Sequence, residues 1–101
     1  MADLRWTEEA VRWLHDIFNY IADDNPEAAR KVVAGIYDQA QMLKTFPQIG
    51  YKYKDDPNGE IRILVYGHYR IAYLIEHEAV EILGVFHGAM EIGKYLDLYR
   101  P

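Results

Sequence analysis

The apolar residues of this chain change their spacing once, and that change constrains the fold more than any other feature. Up to about residue 45 they recur at helical spacing, whereas from residue 51 onward β-branched and aromatic residues form short runs separated by turn residues. We predict an α+β domain in which an N-terminal strand and a helical hairpin pack on one face of a curved, mainly antiparallel four-stranded sheet. A short C-terminal helix follows. At 101 residues, positions 1–101 fit a single domain.

The N-terminal half contains clear helix boundaries. Residues 4–6 form a short strand candidate, and Thr7 is a good N-cap for a helix over residues 8–22 that carries two acidic residues in its first turn. Asn25 and Pro26 suit the cap and first position of a second helix, which should end near Thr45, before Pro47. Because only a few residues join the two helices, an antiparallel hairpin is expected.

Strand-like runs cover residues 61–66, 69–76 and 79–87, after a weaker strand at 51–53 and a turn at 56–59. The pairs at 67–68 and 77–78 suit two-residue hairpin loops, with Gly67 at the first position of a type II′ turn. A short helix is predicted at about residues 91–99. The strands should therefore form a meander.

Alternation along these strands predicts which side chains share a face. If Glu76 pairs with Ala79, then Ile71 lies opposite Gly84, and one face packs under the helices: Ile71, Tyr73, Ile75, Val80, Ile82 and Phe86. The second face is apolar, with a cation and an imidazole toward one end. It is covered at most in part by the C-terminal tail, so we predict that a partner protein binds there. Its apolar residues are Ile61, Ile63, Ala72, Leu74, Leu83 and Val85, and its polar ones are Arg70, Glu81 and His87.

Composition excludes several classes of function. The chain has no cysteine, which rules out disulfides, thiolate zinc sites and cysteine nucleophiles and favours the cytoplasm. The net charge of −5 argues against general binding to nucleic acids. We also expect no signal peptide, no membrane span, no cofactor and no metal, since His15-Asp16 and Asp23-Asp24 lack the spacing of a standard metal site.

Several short segments follow one another in a characteristic order and spacing: Trp6-Thr7-Glu8-Glu9-Ala10, Tyr20-Ile21, Asn25-Pro26-Glu27-Ala28-Ala29, Leu43, Phe46-Pro47-Gln48-Ile49-Gly50, Arg62-Ile63-Leu64, Tyr69-Arg70-Ile71-Ala72-Tyr73 and Val85-Phe86-His87-Gly88. In these segments, and over nearly its whole length, the chain resembles the RelE/ParE superfamily of toxins from bacterial type II toxin–antitoxin modules. The resemblance implies a helical hairpin on a curved sheet and a cognate antitoxin bound as an extended or helical segment in a hetero-oligomer.

The superfamily implies two activities. RelE-like members cut messenger RNA in the ribosome with a basic cluster and a C-terminal tyrosine or histidine, whereas ParE-like members are associated with inhibition of DNA gyrase. The motif arginine is present as Arg70, and His87 and Tyr95 are candidates for acid or base. The lysine pair of RelE-like members would fall near Ile61 and Ile63, and their second basic residue would fall at Ala89-Met90. This chain has no basic residue at any of these positions. RNA cleavage requires an acid, a base and cationic stabilisation, so a ParE-like toxin is preferred.

Three functions remain open from the sequence. The first is a growth-inhibiting toxin of the plasmid-stabilisation type that acts on gyrase. The second is a messenger RNA endoribonuclease that uses Arg70, His87 and Tyr95, and the third is a detoxified binding module or co-repressor. Purely structural roles are the alternative for two of these residues: Arg70 can pair with Glu81, and His87 can be an ordinary strand-end histidine. The basic group of Lys52, Lys54 and Arg62 is diluted by neighbouring aspartates, so a nucleic-acid patch is not expected.

Overall fold

The computed structural model describes residues 1–88 and 90–99. It consists of β1 (Asp3–Trp6), α1 (Glu8–Ala22), α2 (Pro26–Gln41), β2 (Tyr51–Asp56), β3 (Gly59–Tyr66), β4 (Tyr69–Glu76), β5 (Ala79–His87) and α3 (Ile92–Tyr99). The five strands form one sheet in the order β1-β5-β4-β3-β2. The α+β class and the helical hairpin packed on a mostly antiparallel sheet are confirmed, and β1 joins as a fifth strand, parallel to β5.

Capping residues set the helix starts as the sequence predicts. The Thr7 hydroxyl accepts a hydrogen bond from the Ala10 amide at 3.0 Å, and the Asn25 side chain accepts one from Ala28 at 3.1 Å. α2 ends at Gln41, earlier than predicted, and a 3₁₀ turn over Met42–Lys44 continues it. None of the helices in the described ranges is long and apolar enough to span a membrane.

The sheet is covered on both faces. Between the sheet and the α1–α2 hairpin lies the helix-side core, which contains Ala10, Ile36, Ala40, Leu43, Leu64, Ile71, Tyr73, Val80, Ile82 and Val85. On the opposite face lies the α3-side core, which contains Ile61, Ile63, Ala72, Leu74, Leu83, Phe86, Ile92 and Leu96. Each central strand is therefore buried on both faces, which explains why its outer face is apolar rather than polar.

The loop before β2 is held by buried polar groups. The Tyr73 hydroxyl donates a hydrogen bond to the Pro47 carbonyl at 2.8 Å and accepts one from the Gly50 amide at 3.0 Å. A Cβ at Gly50 would lie 2.7 Å from that hydroxyl, so the close approach requires glycine. Arg62 adds a 2.8 Å hydrogen bond to the Gly50 carbonyl.

The β3–β4 and β4–β5 hairpins each have a turn residue in the left-handed backbone conformation. Gly67 and His77 occupy equivalent turn positions and both have a φ of +56°. We expect Gly67→Ala to lower the free energy of unfolding by about 1–2 kcal/mol, because nothing crowds the new Cβ and the cost is backbone strain alone. The reciprocal change His77→Gly should be neutral or raise stability by up to about 1 kcal/mol. Urea unfolding measures both, and equal effects of the two changes would contradict the turn assignment.

Candidate functional site

A β-bulge in β5 decides which side chains of the closing strands share a face. The pairs Glu76 with Ala79 and Tyr73 with Ile82 occur as predicted, but Ala72 pairs with Gly84. Leu83 is therefore an extra residue, and every position after it is shifted by one. The prediction that Ile71 lies opposite Gly84 is wrong, since Ile71 pairs with Val85.

The bulge exchanges two residues of the predicted partner-binding face. Val85 lies in the helix-side core rather than on the second face, and Phe86 lies in the α3-side core rather than under the hairpin. Five residues of the predicted set do share the α3-side face: Ile61, Ile63, Ala72, Leu74 and Leu83. The physical reason is that one inserted residue reverses the direction of each side chain beyond it.

This face is more fully covered than the sequence predicts. α3 lies across it and buries Ile92 and Leu96 against the sheet, so that Ile61, Ile63 and Ala72 have no exposed surface. Tyr95 on the same helix packs against Trp13 with ring centroids 5.2 Å apart and against Phe86 at 5.7 Å. The expectation of a tail that shields only part of the face is therefore wrong, and an eight-residue helix completes the core.

The structure places the three candidate catalytic residues on two different faces of the sheet. Arg70 pairs with Phe86 and lies on the α3-side face, whereas His87 pairs with Tyr69 and lies on the other face. The His87 ring contacts Tyr69 edge-on, with centroids 5.8 Å apart, and is exposed. Tyr95 is half-buried in its aromatic contacts. Arg70 and Tyr95 therefore both neighbour Phe86 on the α3 side, and His87 lies apart from them on the other face.

The proposed pair of Arg70 with Glu81 does not form. Glu81 pairs with Leu74, which is four positions, or ~13 Å, along β4 from Arg70. Within the described part of the chain, no salt bridge joins the Arg70 guanidinium to an acidic side chain. Arg70 is half-buried beside the α3-side core.

The basic group near β2 is neutralised by acidic neighbours. Lys52 lies 2.8 Å from the Asp55 carboxylate, and that hydrogen bond and charge raise the pKa of Lys52. Arg62 pairs with Glu60 at 3.0 Å and uses its other nitrogens to hold the Gly50 and Gln48 carbonyls. The positions where a RelE-like lysine pair would fall are the fully buried Ile61 and Ile63, and Ala89 lies outside the described residues.

A single glycine is the sequence signal that would have revealed the bulge. Gly84 interrupts an otherwise apolar strand pattern, which is typical of a bulge or of close backbone approach. The Phe86 ring lies over it, so that a Cβ at Gly84 would be 2.5 Å from the end of the ring. Gly84 thus provides the space that Phe86 occupies in the α3-side core.

Comparison with known proteins shows which family has this fold and this two-faced sheet. The family model described as "ParE toxin of type II toxin-antitoxin system, parDE" matches residues 4–92. A curated relative from Sinorhizobium fredii, described as "Putative toxin Y4kP", is 38% identical over 84 residues, or 83% of this chain and 85% of that protein. The chain belongs to the ParE toxin family of type II toxin–antitoxin systems.

Solved structures show the same fold. A chain from the chromosomal ParDE system of P. aeruginosa superposes with a TM-score of 0.71 at 24% identity, over 86% of this chain and 96% of that one. A chain from the RelBE2 toxin–antitoxin complex of Mycobacterium tuberculosis gives a TM-score of 0.63 at 27% identity, over 85% and 96%. A chain from a ParDE system and a chain from a RelBE2 complex therefore share this architecture.

Proposed function

We propose that this chain is a growth-inhibiting toxin of the plasmid-stabilisation type that acts in the cytoplasm on DNA gyrase and is neutralised by a cognate antitoxin. Membership of the ParE family supports the toxin role. The bulge at Leu83 supports gyrase rather than messenger RNA as the target, because it puts Arg70 and His87 on opposite faces of the sheet. One cation is then left where RNA cleavage needs several groups. Gyrase inhibition needs binding alone.

The antitoxin binds on the α3-side face in this proposal. Ile61, Ile63, Ala72, Leu74 and Leu83 present a continuous apolar surface there, and α3 is held on it through Ile92 and Leu96. An eight-residue helix has little stability of its own in water. A longer apolar segment of the antitoxin therefore replaces α3, with Arg70 at the edge of the face to receive a carboxylate.

If α3 and the antitoxin compete for the same surface, truncating two leucines should change the affinity for the antitoxin in different directions. Leu74→Ala removes part of the shared surface and should weaken antitoxin affinity by about tenfold or more. Leu96→Ala weakens only the internal competitor, so we expect equal or several-fold tighter binding. Calorimetric titration with the protein encoded by the adjacent small gene measures both. Weaker binding by Leu96→Ala would contradict displacement of α3, and circular dichroism confirms that both variants are folded.

The target is tested with the purified chain in two assays. We expect inhibition of gyrase supercoiling, which the antitoxin relieves, and no cleavage of ribosome-bound messenger RNA by primer extension. Ribosomal cleavage that Arg70→Ala abolishes would overturn the proposal in favour of the ribonuclease. Absence of growth arrest on expression, with no effect in either assay, would instead identify a detoxified binding module.

A further inference from the structure

A second surface, distinct from the α3-side face, lies between α1 and the ends of β4 and β5. It is a groove of about 550 Å³ on the helix side of the sheet. Trp13, Ile17 and Tyr20 form its α1 wall, and Tyr69, Val85 and Met90 form the opposite wall. Val85 lines the groove whereas Phe86 faces α3, so the two surfaces lie on opposite faces of the sheet. They adjoin at Trp13 and Met90, which line the groove and also pack against the α3-side core.

The groove wall includes an aromatic side chain that contributes little to the fold. Tyr20 is 85% exposed, although α1 has a full apolar stripe directed at the sheet. A large exposed tyrosine beside an apolar groove provides rigid contact area to a ligand at low entropic cost. Its position therefore suits recognition better than stability.

The surroundings of the groove are acidic. Asp16 lines it, and Asp23 and Asp24 follow the end of α1 in an adjoining depression that shares Tyr20 and Ile21. None of these three aspartates has a salt-bridge partner in the described ranges. The last turn of α1 also carries no basic residue, so its carbonyl end adds negative potential.

We propose that this groove binds a segment of a partner protein in which a bulky apolar side chain is flanked by lysine or arginine. The apolar side chain enters between α1 and the strand ends, and the cations meet Asp16, Asp23 and Asp24 at the end of α1. A nucleic acid is disfavoured because its phosphates face carboxylates. A second copy is disfavoured because the chain carries a net charge of −5.

The test is an NMR titration of the ¹⁵N-labelled full chain at pH 7.5 with two matched peptides. One is Ac-Lys-Leu-Trp-Arg-Leu-Lys-amide, and the other replaces each cation by glutamate. We expect the basic peptide alone to shift the amides of Tyr20, Tyr69 and His87, which line the groove and are not part of the α3-side core. Its affinity should fall about tenfold between 50 and 500 mM salt.

Exposed residues provide variants that leave the fold intact. Tyr20→Ala and the double change Asp23→Asn with Asp24→Asn should each weaken the basic peptide about fivefold or more. Tyr51→Ala and Asp38→Asn, at exposed sites elsewhere, should leave the affinity unchanged. Equal binding of both peptides, shifts confined to the α3-side face, or no effect of Tyr20→Ala would overturn the proposal. Shifts that depend on protein concentration without peptide would assign the groove to a second copy instead.

Discussion

Replacing Phe86 by alanine is expected to lower the free energy of unfolding by about 3–5 kcal/mol and to release α3 from the sheet. The ring has no exposed surface, packs edge-on against Trp13 at 4.9 Å and contacts Tyr95 at 5.7 Å. Its loss leaves a cavity under α3 that neighbouring side chains cannot fill, because Gly84 beside it has no side chain. Urea unfolding measures the energy, and hydrogen exchange over residues 92–96 reports α3.

Phe46→Ala is the matched control for this prediction. Phe46 is 57% exposed, so the same truncation there should cost less than about 1 kcal/mol and leave α3 exchange unchanged. If Phe86→Ala destabilised the chain but left α3 protected, Phe86 would have to lie under the hairpin, as simple alternation predicts. The exchange pattern therefore distinguishes the bulged register from the regular one.

Replacing Tyr73 by phenylalanine should cost about 2–3 kcal/mol at neutral pH although it removes a single oxygen atom. That oxygen joins the Pro47 carbonyl and the Gly50 amide at 2.8 and 3.0 Å, and both groups lose their partner when it is absent. Arg62 then holds the loop alone through Gly50 and Gln48. Tyr20→Phe, at an exposed site, should change stability by less than about 0.5 kcal/mol.

The same tyrosine predicts how stability changes at alkaline pH. Burial raises the pKa of Tyr73 above its ordinary value of 10.0. Above pH 10 the unfolded chain therefore releases this proton before the folded chain does, and the stabilisation is lost as the pH rises toward the folded pKa. Stability should fall more steeply from pH 10 upward in the parent chain than in Tyr73→Phe. Parallel curves would contradict the buried position of this hydroxyl.

Local sequence patterns were sufficient for most of the secondary structure. Thr7, Asn25 and Pro26 set helix starts through groups within three residues of themselves, so α1 is predicted to the residue. The two-residue hairpins likewise follow from local turn geometry, and β4 and β5 have the predicted bounds. The prediction of where α2 ends was less accurate, because the helix passes into a 3₁₀ turn in which Leu43 is held by the helix-side core.

The division of the sheet into faces was predicted only up to the bulge. Alternation correctly places Tyr73, Val80 and Ile82 under the helices, since these residues precede Leu83 in the pairing from the β4–β5 turn. Beyond it, Val85, Phe86 and His87 are all assigned to the wrong face. This error also joins His87 to Arg70, which the fold separates.

The sequence by itself determined that this chain forms a helical hairpin and an antiparallel meander. The signals are the period of the apolar residues, the helix caps and the turn residues, and each of them acts over a few residues. The tertiary structure alone decided what the closing strands present on each side. The bulge at Leu83 depends on how β5 pairs with β4 and on the space that Gly84 leaves for the Phe86 ring, and both are contacts between segments. One extra residue therefore places Phe86 under α3 and Val85 on the side of the groove beside α1.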